Sequence, residues 1–348
     1  MLREIGGQPI GPDAPVFVIA EIGLNHGGSL DRALSLVDAA ADAGASAIKL
    51  QTLFADRLVA PSCPAPAHLN VASLQDFFAG FELDLAAHRT IVERARSHRL
   101  AVMTTPFAED VVPALEEIGF DAYKVASGDL TYLGLIKTLA RTGKPLVIST
   151  GMSTLTEVAA AIGAANATGA HALALMHCVS AYPTPQLSEN LRAIQTMGDA
   201  FRVPVGLSDH GGGLPSAAAA VALGASLYER HLVLRGDGTA IDAAVSSTPY
   251  ELCEIVRAME HVRIALGTGV KSCQPAEAVN VTASRRGLYA TRALRAGERI
   301  ERADVIALRP ATTLAPVEIE SLVGATLHRD VGAGEPFEIA DLRKGRAA

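Results

Sequence analysis

Residues 1–266 alternate short apolar runs with longer segments whose apolar residues recur at helical spacing, as in Ser29–Ala43. Two of the helical segments begin with a capping box, formed by Thr154 with Glu157 and by Thr248 with Glu251. Strands that are apolar throughout and separated by helices indicate a parallel sheet covered on both faces. Eight such units predict a closed (β/α)8 TIM barrel, and an open doubly wound sheet is the alternative.

The pattern changes near residue 267. Residues 267–283 read as a linker, and residues 284–348 read as short strands and turns in which an Ala-Gly-Glu phrase recurs, in "ALRAGERI" and "DVGAGEPF". We therefore predict a barrel over 1–266, a linker over 267–283 and a small domain over 284–348. So small a domain has a thin core and gains stability by packing on a partner surface.

Each of the eight apolar runs of the predicted barrel ends in residues that can do chemistry. Because the carboxyl ends of barrel strands meet at one face, these residues should converge on an active site there. The run ends are Ala20-Glu21, Lys49-Leu50-Gln51, Thr104-Thr105, Lys124-Val125-Ala126-Ser127, Ser149-Thr150, His177-Cys178, Ser208-Asp209-His210 and Glu229-Arg230-His231.

His210 and His231 end the seventh and eighth runs, which are neighbours in a closed barrel. Two imidazoles there could hold a divalent metal that keeps open positions for water and substrate. A hydrogen-bonded buried histidine is the alternative for each. The carboxylates of Asp209, Glu229 and Asp242 are close in sequence and could orient the two rings, which favours the metal site.

Lys49 and Lys124 each interrupt an apolar strand, and Glu21 does so at the end of the first run. A lysine that points into a barrel needs an anion, because an unpaired buried ammonium is costly. Together with strand-end hydroxyls, the two lysines predict a phosphate site. Those hydroxyls could instead cap the helices that follow. They belong to Thr105, Ser127, Ser180 and Ser208.

Composition excludes several other classes. The chain has 348 residues, 49% of them hydrophobic, with a formal net charge of −7 and no basic block, so nucleic-acid binding has no electrostatic support. The four cysteines have no CxxC spacing, which favours a reducing cytoplasm over a disulfide framework. We expect a cytoplasmic protein, because the sequence shows neither an export signal nor an apolar run long enough for a membrane span.

The motifs then resemble one family in order and over nearly the whole chain. The chain is similar to the sialic acid synthases, which carry a C-terminal antifreeze-like (SAF) domain after a TIM barrel. Those enzymes condense phosphoenolpyruvate with an N-acylated aminosugar, N-acetylmannosamine in the type case, to give a nine-carbon ketoacid and phosphate. The resemblance is carried by "AEIGLNHGG", "AIKLQT", "TTPF", "YKVASGD", "STGMST", "CVSAYPTP", "GLSDH" and "ERH".

The resemblance implies a role for each matching position. His210 and His231 would hold Mn or Mg, and the acid/base and water-orienting groups around it would be Glu21, Glu229 and Asp242. Phosphoenolpyruvate would be bound by Lys49, Thr105, Lys124, Ser127, Ser180 and Ser208, with Gln51 and Tyr182 lining the pocket. Arg309 matches an arginine that the SAF domain inserts into the partner subunit's barrel near the N-acyl group, which implies a domain-exchanged homodimer.

Three departures from the family pattern concern the sugar end of the site. Asp129 stands where the family often has a longer glutamate that contacts sugar hydroxyls, Ser180 stands where some members have asparagine, and the phrase after Arg309 lacks the usual glycine turn. A synthase of legionaminic, pseudaminic or another nonulosonic acid is therefore the alternative. A non-catalytic carbohydrate-binding protein is the second alternative, although binding alone would not need a paired-histidine metal site.

Overall fold

The computed structural model describes residues 2–64, 71–170, 172–238 and 240–342. It divides into two compact units, Met1–Gly267 and Thr268–Ala348. In the described residues no helix is both long and apolar enough to cross a membrane.

The first unit is a closed barrel of eight parallel strands. The last of them, β10 (Leu227–Leu232), pairs in parallel with both β9 (Val205–Asp209) and β3 (Phe17–Glu21), so the sheet has no free edge and the open-sheet alternative is wrong. The TIM barrel prediction is confirmed. The barrel strands are β3 Phe17–Glu21, β4 Ala47–Thr52, β5 Ala101–Pro106, β6 Ala122–Val125, β7 Leu146–Ser149, β8 Leu173–Cys178, β9 Val205–Asp209 and β10 Leu227–Leu232, and the short strand β11 Ser246–Ser247 pairs with β10.

Alternate residues of each strand point into the barrel, as strand geometry requires. At the amino end of the strands they form an apolar layer that includes Phe17, Ile19, Met103 and Met176. An amino-terminal hairpin, β1 Glu4–Ile5 with β2 Gln8–Pro9, adds side chains such as that of Ile5 to the same layer. Water is thereby excluded from one end of the barrel, and the inward polar side chains are confined to the other end.

Helices cover the outside of the barrel and enclose a second, larger apolar cluster between themselves and the strands. The capping boxes predicted at Thr154 and Thr248 are both present. The helices of this unit are α1 Leu30–Asp42, α2 Ala55–Leu58, α3 Leu74–Ala79, α4 Leu85–Ser97, α5 Val112–Ile118, α6 Leu133–Arg141, α7 Leu155–Asn166, α8 Ala193–Phe201, α9 Leu214–Ala222 and α10 Pro249–Leu266.

The second unit has its own small core. It contains α11 Ala278–Ser284, β12 Gly287–Ala290, β13 Val305–Leu308 and α12 Ile319–Leu322, with β12 antiparallel to β13. A 3-10 turn over Pro275–Glu277 and helix α11 occupy part of the predicted linker, where the sequence analysis expected no regular structure. The core side chains come from both halves of the unit and include Leu288, Ile300, Leu322, Leu327, Val331 and Phe337.

The recurring Ala-Gly-Glu phrase corresponds to an internal structural repeat. In the first half, Arg292 donates to Asp304 at 2.7 Å and to Glu298 at 3.1 Å. In the second half, Arg329 donates to Asp341 and to Glu335, both at 2.6 Å. The halves also pair with each other, since Leu294 and Val331 exchange two backbone hydrogen bonds of 2.8 Å. Reciprocal pairing of equivalent positions means that the two halves are related by an approximate two-fold axis.

Candidate active site

A cavity of about 250 Å³ opens at the carboxyl ends of the barrel strands. Twelve of the fourteen barrel residues predicted for the site line it: Glu21, Lys49, Gln51, Thr105, Lys124, Ser127, Ser180, Tyr182, Ser208, His210, Glu229 and His231. A larger cavity of about 830 Å³ lies against the amino-terminal segment and α8, and none of the predicted site residues line it. The predicted site residues are therefore gathered in the smaller cavity.

The strand register explains why these side chains meet. Glu21 is paired across the sheet with Lys49 on one side and with His231 on the other, and Ser208 is paired with Glu229. Side chains at paired positions of neighbouring parallel strands point to the same face, which here is the barrel interior. Inward positions nearer the amino end of each strand are apolar, so only the last inward residues carry polar groups.

Both predicted lysines are buried and paired with carboxylates. Lys49 forms an ion pair with Glu21 and lies 3.3 Å from the Thr105 hydroxyl. Lys124 Nζ lies 3.1 Å from Glu229 Oε1. Burial lowers the pKa of Lys49 to about 8, although the negative charge of Glu229 opposes this effect. The prediction that an inward lysine needs an anion agrees with these pairs, and in this structure side-chain carboxylates are the anions.

The Glu229 carboxylate has both a charged and a neutral donor in the cavity. Its Oε1 accepts from the Ser208 hydroxyl at 3.0 Å as well as from Lys124. Burial by itself would raise the pKa of Glu229, but the positive charges of Lys124 and Lys49 outweigh it and hold this pKa below its usual range. The other oxygen, Oε2, is buried without a hydrogen-bond partner among the described residues. Glu229 is therefore ionised, with one oxygen open to a further partner.

A tight backbone turn supports the hydroxyl side of the cavity. The Gly151 amide donates to the Ser127 hydroxyl at 3.1 Å. A Cβ at position 151 would lie only 2.7 Å from Ser127 Oγ and closer still to Ser180 Oγ, so only glycine allows this approach. Met152, the next residue, has a positive φ of 61° and lines the cavity. The turn holds the Ser127 hydroxyl and leaves room for that of Ser180.

The two histidines face each other across the cavity. The ring centroids of His210 and His231 are 5.5 Å apart, and the Tyr182 ring lies 4.2 Å from that of His210. His210 Nδ1 lies 3.3 Å from the carbonyl oxygen of Val179, so Nδ1 donates and Nε2 keeps its lone pair. Burial lowers the pKa of both histidines, so the neutral imidazoles that metals require are favoured.

Two predicted residues lie beside the cavity lining and do not form it. Asp242 Oδ2 is 3.4 Å from His231 Nδ1, but the two atoms are not aligned as in a hydrogen bond, and Nδ1 has no partner among the described residues. Asp129 ends a 3-10 turn, Ser127–Asp129, directly after β6, and burial raises its pKa to about 6. Arg309 is exposed and belongs to the second unit.

Asp209 has a different role from the one that its sequence position suggested. Its carboxylate accepts from the amides of Gly211 at 2.7 Å and Gly213 at 2.9 Å, and from the Tyr228 hydroxyl at 2.8 Å. It also forms an ion pair of 3.2 Å with Arg230. Asp209 therefore fixes the turn after β9, on the outward side of the strand. The expectation that it orients a histidine ring directly is wrong.

Six residues to which the sequence analysis gave no role also line the cavity: Phe107, Ala126, Gly128, Ser149, Met152 and Cys178. Ser149 and Cys178 are inward residues at strand ends, so counting alternate positions back from the end of each run could have found them. Phe107 and Met152 lie in loops, and their sequence context carries no such signal. Cys178 is buried, with its Sγ 3.7 Å from His210 Nδ1, and burial raises the pKa of its thiol.

His210 and His231 are the side chains of the cavity that could bind a divalent metal. In the described part of the chain, no cluster of three or more His, Cys, Asp or Glu side chains is arranged to hold a metal by itself. Two neutral imidazoles fit an open site, in which water and substrate complete the coordination. The buried and unpartnered Nδ1 of His231 is consistent with such a site.

Two protein-family models match this chain, one over most of the barrel and one over the second unit. The NeuB family model matches residues 36–271, and the SAF domain model matches residues 285–343. An N,N'-diacetyllegionaminic acid synthase of Campylobacter jejuni subsp. jejuni serotype O:2 is 33% identical over 88% of this chain and 94% of its own length. The N-acetylneuraminate-9-phosphate synthase of Homo sapiens is 32% identical over 78% of this chain and 77% of its own.

A solved structure is also similar. The N-acetylneuraminic acid (sialic acid) synthetase of Leptospira borgpetersenii serovar Hardjo-bovis superposes with a TM-score of 0.73 at 32% identity, over 80% of this chain and 94% of that one. The predicted family, its SAF domain and the expectation of a synthase are confirmed. The chain belongs to the NeuB family of sialic acid synthases and carries a C-terminal SAF domain.

Proposed function

We propose that this enzyme condenses phosphoenolpyruvate with an N-acylated aminosugar, N-acetylmannosamine or a related sugar, and with water, to give a nine-carbon nonulosonic acid and phosphate. One observation carries this proposal: a single cavity is lined both by two buried lysines and by two facing neutral histidines. The lysine side suits a small molecule with phosphate and carboxylate groups, and the histidine side suits the carbonyl group that is attacked.

The lysines and hydroxyls form the phosphoenolpyruvate site. Without substrate, Lys49 and Lys124 are neutralised by Glu21 and Glu229. An incoming phosphate or carboxylate would take over these ammonium donors, which strengthens its binding because the bonds are charge-assisted and buried. The hydroxyls of Thr105, Ser127, Ser180 and Ser208 complete the site.

The sugar would occupy the outer part of the cavity. Gln51 donates to Glu21 at 3.3 Å, and Tyr182 is 57% exposed beside His210, so both can contact a second substrate above the first. We also assign Asp129 and Arg309 to the sugar, the latter to its N-acyl group. The relatives differ in the number of acyl groups and in the phosphate of the products they are named for, so position 129 is a candidate for selecting among such sugars.

The reaction forms a carbon–carbon bond and a bond from C2 to a water oxygen, and it breaks the C2–O bond to phosphate. C3 of the enolpyruvate attacks the aldehyde carbon of the sugar, and the aldehyde oxygen takes up a proton. Water then adds to C2 and loses one proton, which leaves a hydroxyl group and the phosphate on the same carbon. The C2–O bond to phosphate then breaks while the hydroxyl gives its proton to the leaving phosphate, so that C2 becomes the carbonyl of the keto acid. We assign Glu21, Glu229 and Asp242 to these proton movements and to orienting the water, since all three carboxylates lie in or beside the cavity.

His210 and His231 would hold a divalent metal, Mn²⁺ or Mg²⁺. Such an ion supplies Lewis-acid polarisation of the sugar carbonyl when bound. Mn²⁺ binding to the purified full chain, followed by the paramagnetic resonance of the free ion, tests this without a turnover assay. His210→Ala and His231→Ala should each weaken binding at least about 10-fold, since each removes one of few ligands. Unchanged Mn²⁺ binding in both variants would refute the metal site.

A sugar panel tests the reaction. The chain, with Mn²⁺ or Mg²⁺ added, is incubated with phosphoenolpyruvate and N-acylated aminosugars that carry one or two acyl groups, with and without a phosphate. Release of phosphate together with a product of the expected mass supports the proposal and identifies the sugar, including a legionaminic or pseudaminic acid precursor. Sugar binding without phosphate release from any member of the panel would favour the non-catalytic carbohydrate-binding alternative.

We further propose that the enzyme is a domain-exchanged homodimer in which Arg309 serves the partner's site. Arg309→Ala and His231→Ala chains should each be nearly inactive alone. In mixed dimers, the barrel with intact His231 would receive intact Arg309 from the other chain, so part of the turnover should return. Mixed dimers that form but stay inactive would show that Arg309 acts within its own chain or has no role.

A further inference from the structure

Asn25 is a buried polar residue in the loop after β3, and the mechanism above does not use it. The side chain belongs to a residue that is only 2% exposed. Its Nδ2 donates to the carbonyl oxygen of Leu232 at 2.8 Å and to the Ser246 hydroxyl at 2.9 Å. Its Oδ1 accepts from the backbone amide of Asp242 at 3.0 Å. Both ends of this amide therefore have partners, either in the last residue of β10 or in the segment that follows it.

These contacts hold the backbone of Asp242 from both sides. Asn25 binds its amide, and the Ser246 hydroxyl donates to its carbonyl oxygen at 2.7 Å. Because Asn25 also binds Ser246, the three residues form one closed hydrogen-bond network. The carboxylate of Asp242 projects from this fixed backbone to within 3.4 Å of His231 Nδ1.

A second contact ties the same two loops together at the surface. Arg32, in the first turn of α1, donates to the carbonyl oxygen of Asn25 at 3.1 Å and forms an ion pair with Asp237. The Arg32 side chain is 41% exposed, so this ion pair contributes less than the buried amide contacts. The buried Asn25 network is thus the main connection between the loop after β3 and the segment that carries Asp242.

We propose that Asn25 is a positioning residue, which acts on the reaction by holding Asp242 beside His231. This inference rests on the role proposed above for Asp242. A loop of the length between Leu232 and Asp242 does not by itself fix a carboxylate to within a fraction of an ångström, and small displacements of such a group are expensive in turnover. A fully satisfied buried amide provides the required rigidity, because each lost contact leaves a buried group unpaired.

A double-mutant cycle tests the proposal in the full-length enzyme. Asn25→Ala should lower kcat about 10- to 100-fold, as is typical when a group that orients an active-site residue is removed. The KM for phosphoenolpyruvate should change by less than about 3-fold, since the lysine side of the cavity is not touched. In an Asp242→Asn background, Asn25→Ala should cost little further, because the two residues act as one unit.

Thr104→Val is the matched control. Thr104 is fully buried, bonds to the Thr52 hydroxyl at 2.8 Å and to the Leu50 carbonyl at 3.3 Å, and does not line the cavity. This variant should lose a comparable amount of thermal stability and keep its kcat. If Asn25→Ala does not fold, Ser246→Ala opens the same network from its other end and should show the same split between kcat and KM, with a smaller loss.

The outcomes separate the two proposals. If Asp242→Asn lowers turnover and Asn25→Ala lowers it by the same factor in both backgrounds, Asn25 does not act through Asp242 and the inference is overturned. A kcat loss in Thr104→Val as large as that in Asn25→Ala would also overturn it, since general destabilisation would then explain both. Full activity of Asp242→Asn would refute the role of Asp242, and the positioning role would fall with it.

Discussion

Lys49→Met should weaken phosphoenolpyruvate binding strongly and weaken sugar binding much less. Lys49 is 4% exposed and lies at the inner end of the cavity, with its ammonium between Glu21 and the Thr105 hydroxyl. A hydrogen bond to a charged group contributes about 1.5–3 kcal/mol, which corresponds to an affinity loss of about 10- to 140-fold. Isothermal titration with phosphoenolpyruvate measures this loss without relying on turnover.

The same substitution also destabilises the barrel, and the two effects have to be separated. Without Lys49, the buried Glu21 carboxylate keeps the Gln51 amide at 3.3 Å but loses its ion-pair partner. Removing one partner of a buried ion pair costs about 3–5 kcal/mol. The double variant Lys49→Met/Glu21→Gln removes both charges, so it should recover most of that stability in urea unfolding and still bind phosphoenolpyruvate weakly.

Two results would refute this reasoning. Wild-type affinity of Lys49→Met for phosphoenolpyruvate would mean that the lysine only neutralises Glu21. Recovery of phosphoenolpyruvate affinity together with stability in the double variant would mean that the single variant binds weakly because its barrel is disturbed. An equal loss of affinity for both substrates would point to the same disturbance.

Three further predictions concern other parts of the molecule. Gly151→Ala should weaken phosphoenolpyruvate binding in the same titration, because the new methyl group displaces the Ser127 hydroxyl. An unchanged affinity would mean that the Ser127 hydroxyl does not lie as close to residue 151 as described, or does not bind this substrate. Burial lowers the pKa of His26 from 6.5 to about 4. Between pH 6.5 and pH 4 the imidazole is therefore protonated in the unfolded chain but neutral in the folded one, so the free energy of unfolding falls as the pH falls. At 1.36 kcal/mol per pH unit, the loss approaches about 3 kcal/mol near pH 4, and urea unfolding of His26→Asn should show a shallower acid slope. Arg329→Met should lower the melting temperature of the SAF unit, because Asp341 then stays buried without its cation. Arg329→Lys keeps a cation and should lower the melting temperature less. Equal melting temperatures of both variants and the wild type would contradict this prediction.

Much of the site could be predicted because a barrel converts sequence order into spatial position. Once alternating strands and helices indicate a TIM barrel, every inward residue at a strand end must face the same cavity, and Glu21, Lys49, Ser208 and His231 follow from that rule alone. The motifs that resemble sialic acid synthases then supplied the chemistry. The same rule extends to Ser149, which the sequence analysis did not assign.

What the sequence could not supply are the partners of those side chains. Lys49 pairs with Glu21, and Lys124 pairs with Glu229. These pairs depend on the strand register and on which residue another strand brings beside each lysine. The sequence of the lysine's own strand specifies neither. Asp209 illustrates the same limit: it is next to His210 in sequence but points outward to Tyr228 and Arg230, since successive strand residues face opposite sides.

The sequence by itself determined the kind of fold, the family and the set of side chains in the cavity, because periodicity and strand ends are local properties of the chain. Only the tertiary structure decided which of those groups are paired, which atoms stay open to a ligand, and that Asn25, in the loop after β3, holds Asp242 in the neighbouring segment after β10. These features depend on contacts between residues far apart in sequence. The contacts of Asn25 join residues more than two hundred positions apart, and they exist only after closure of the sheet between β10 and β3 brings the two ends of the barrel together.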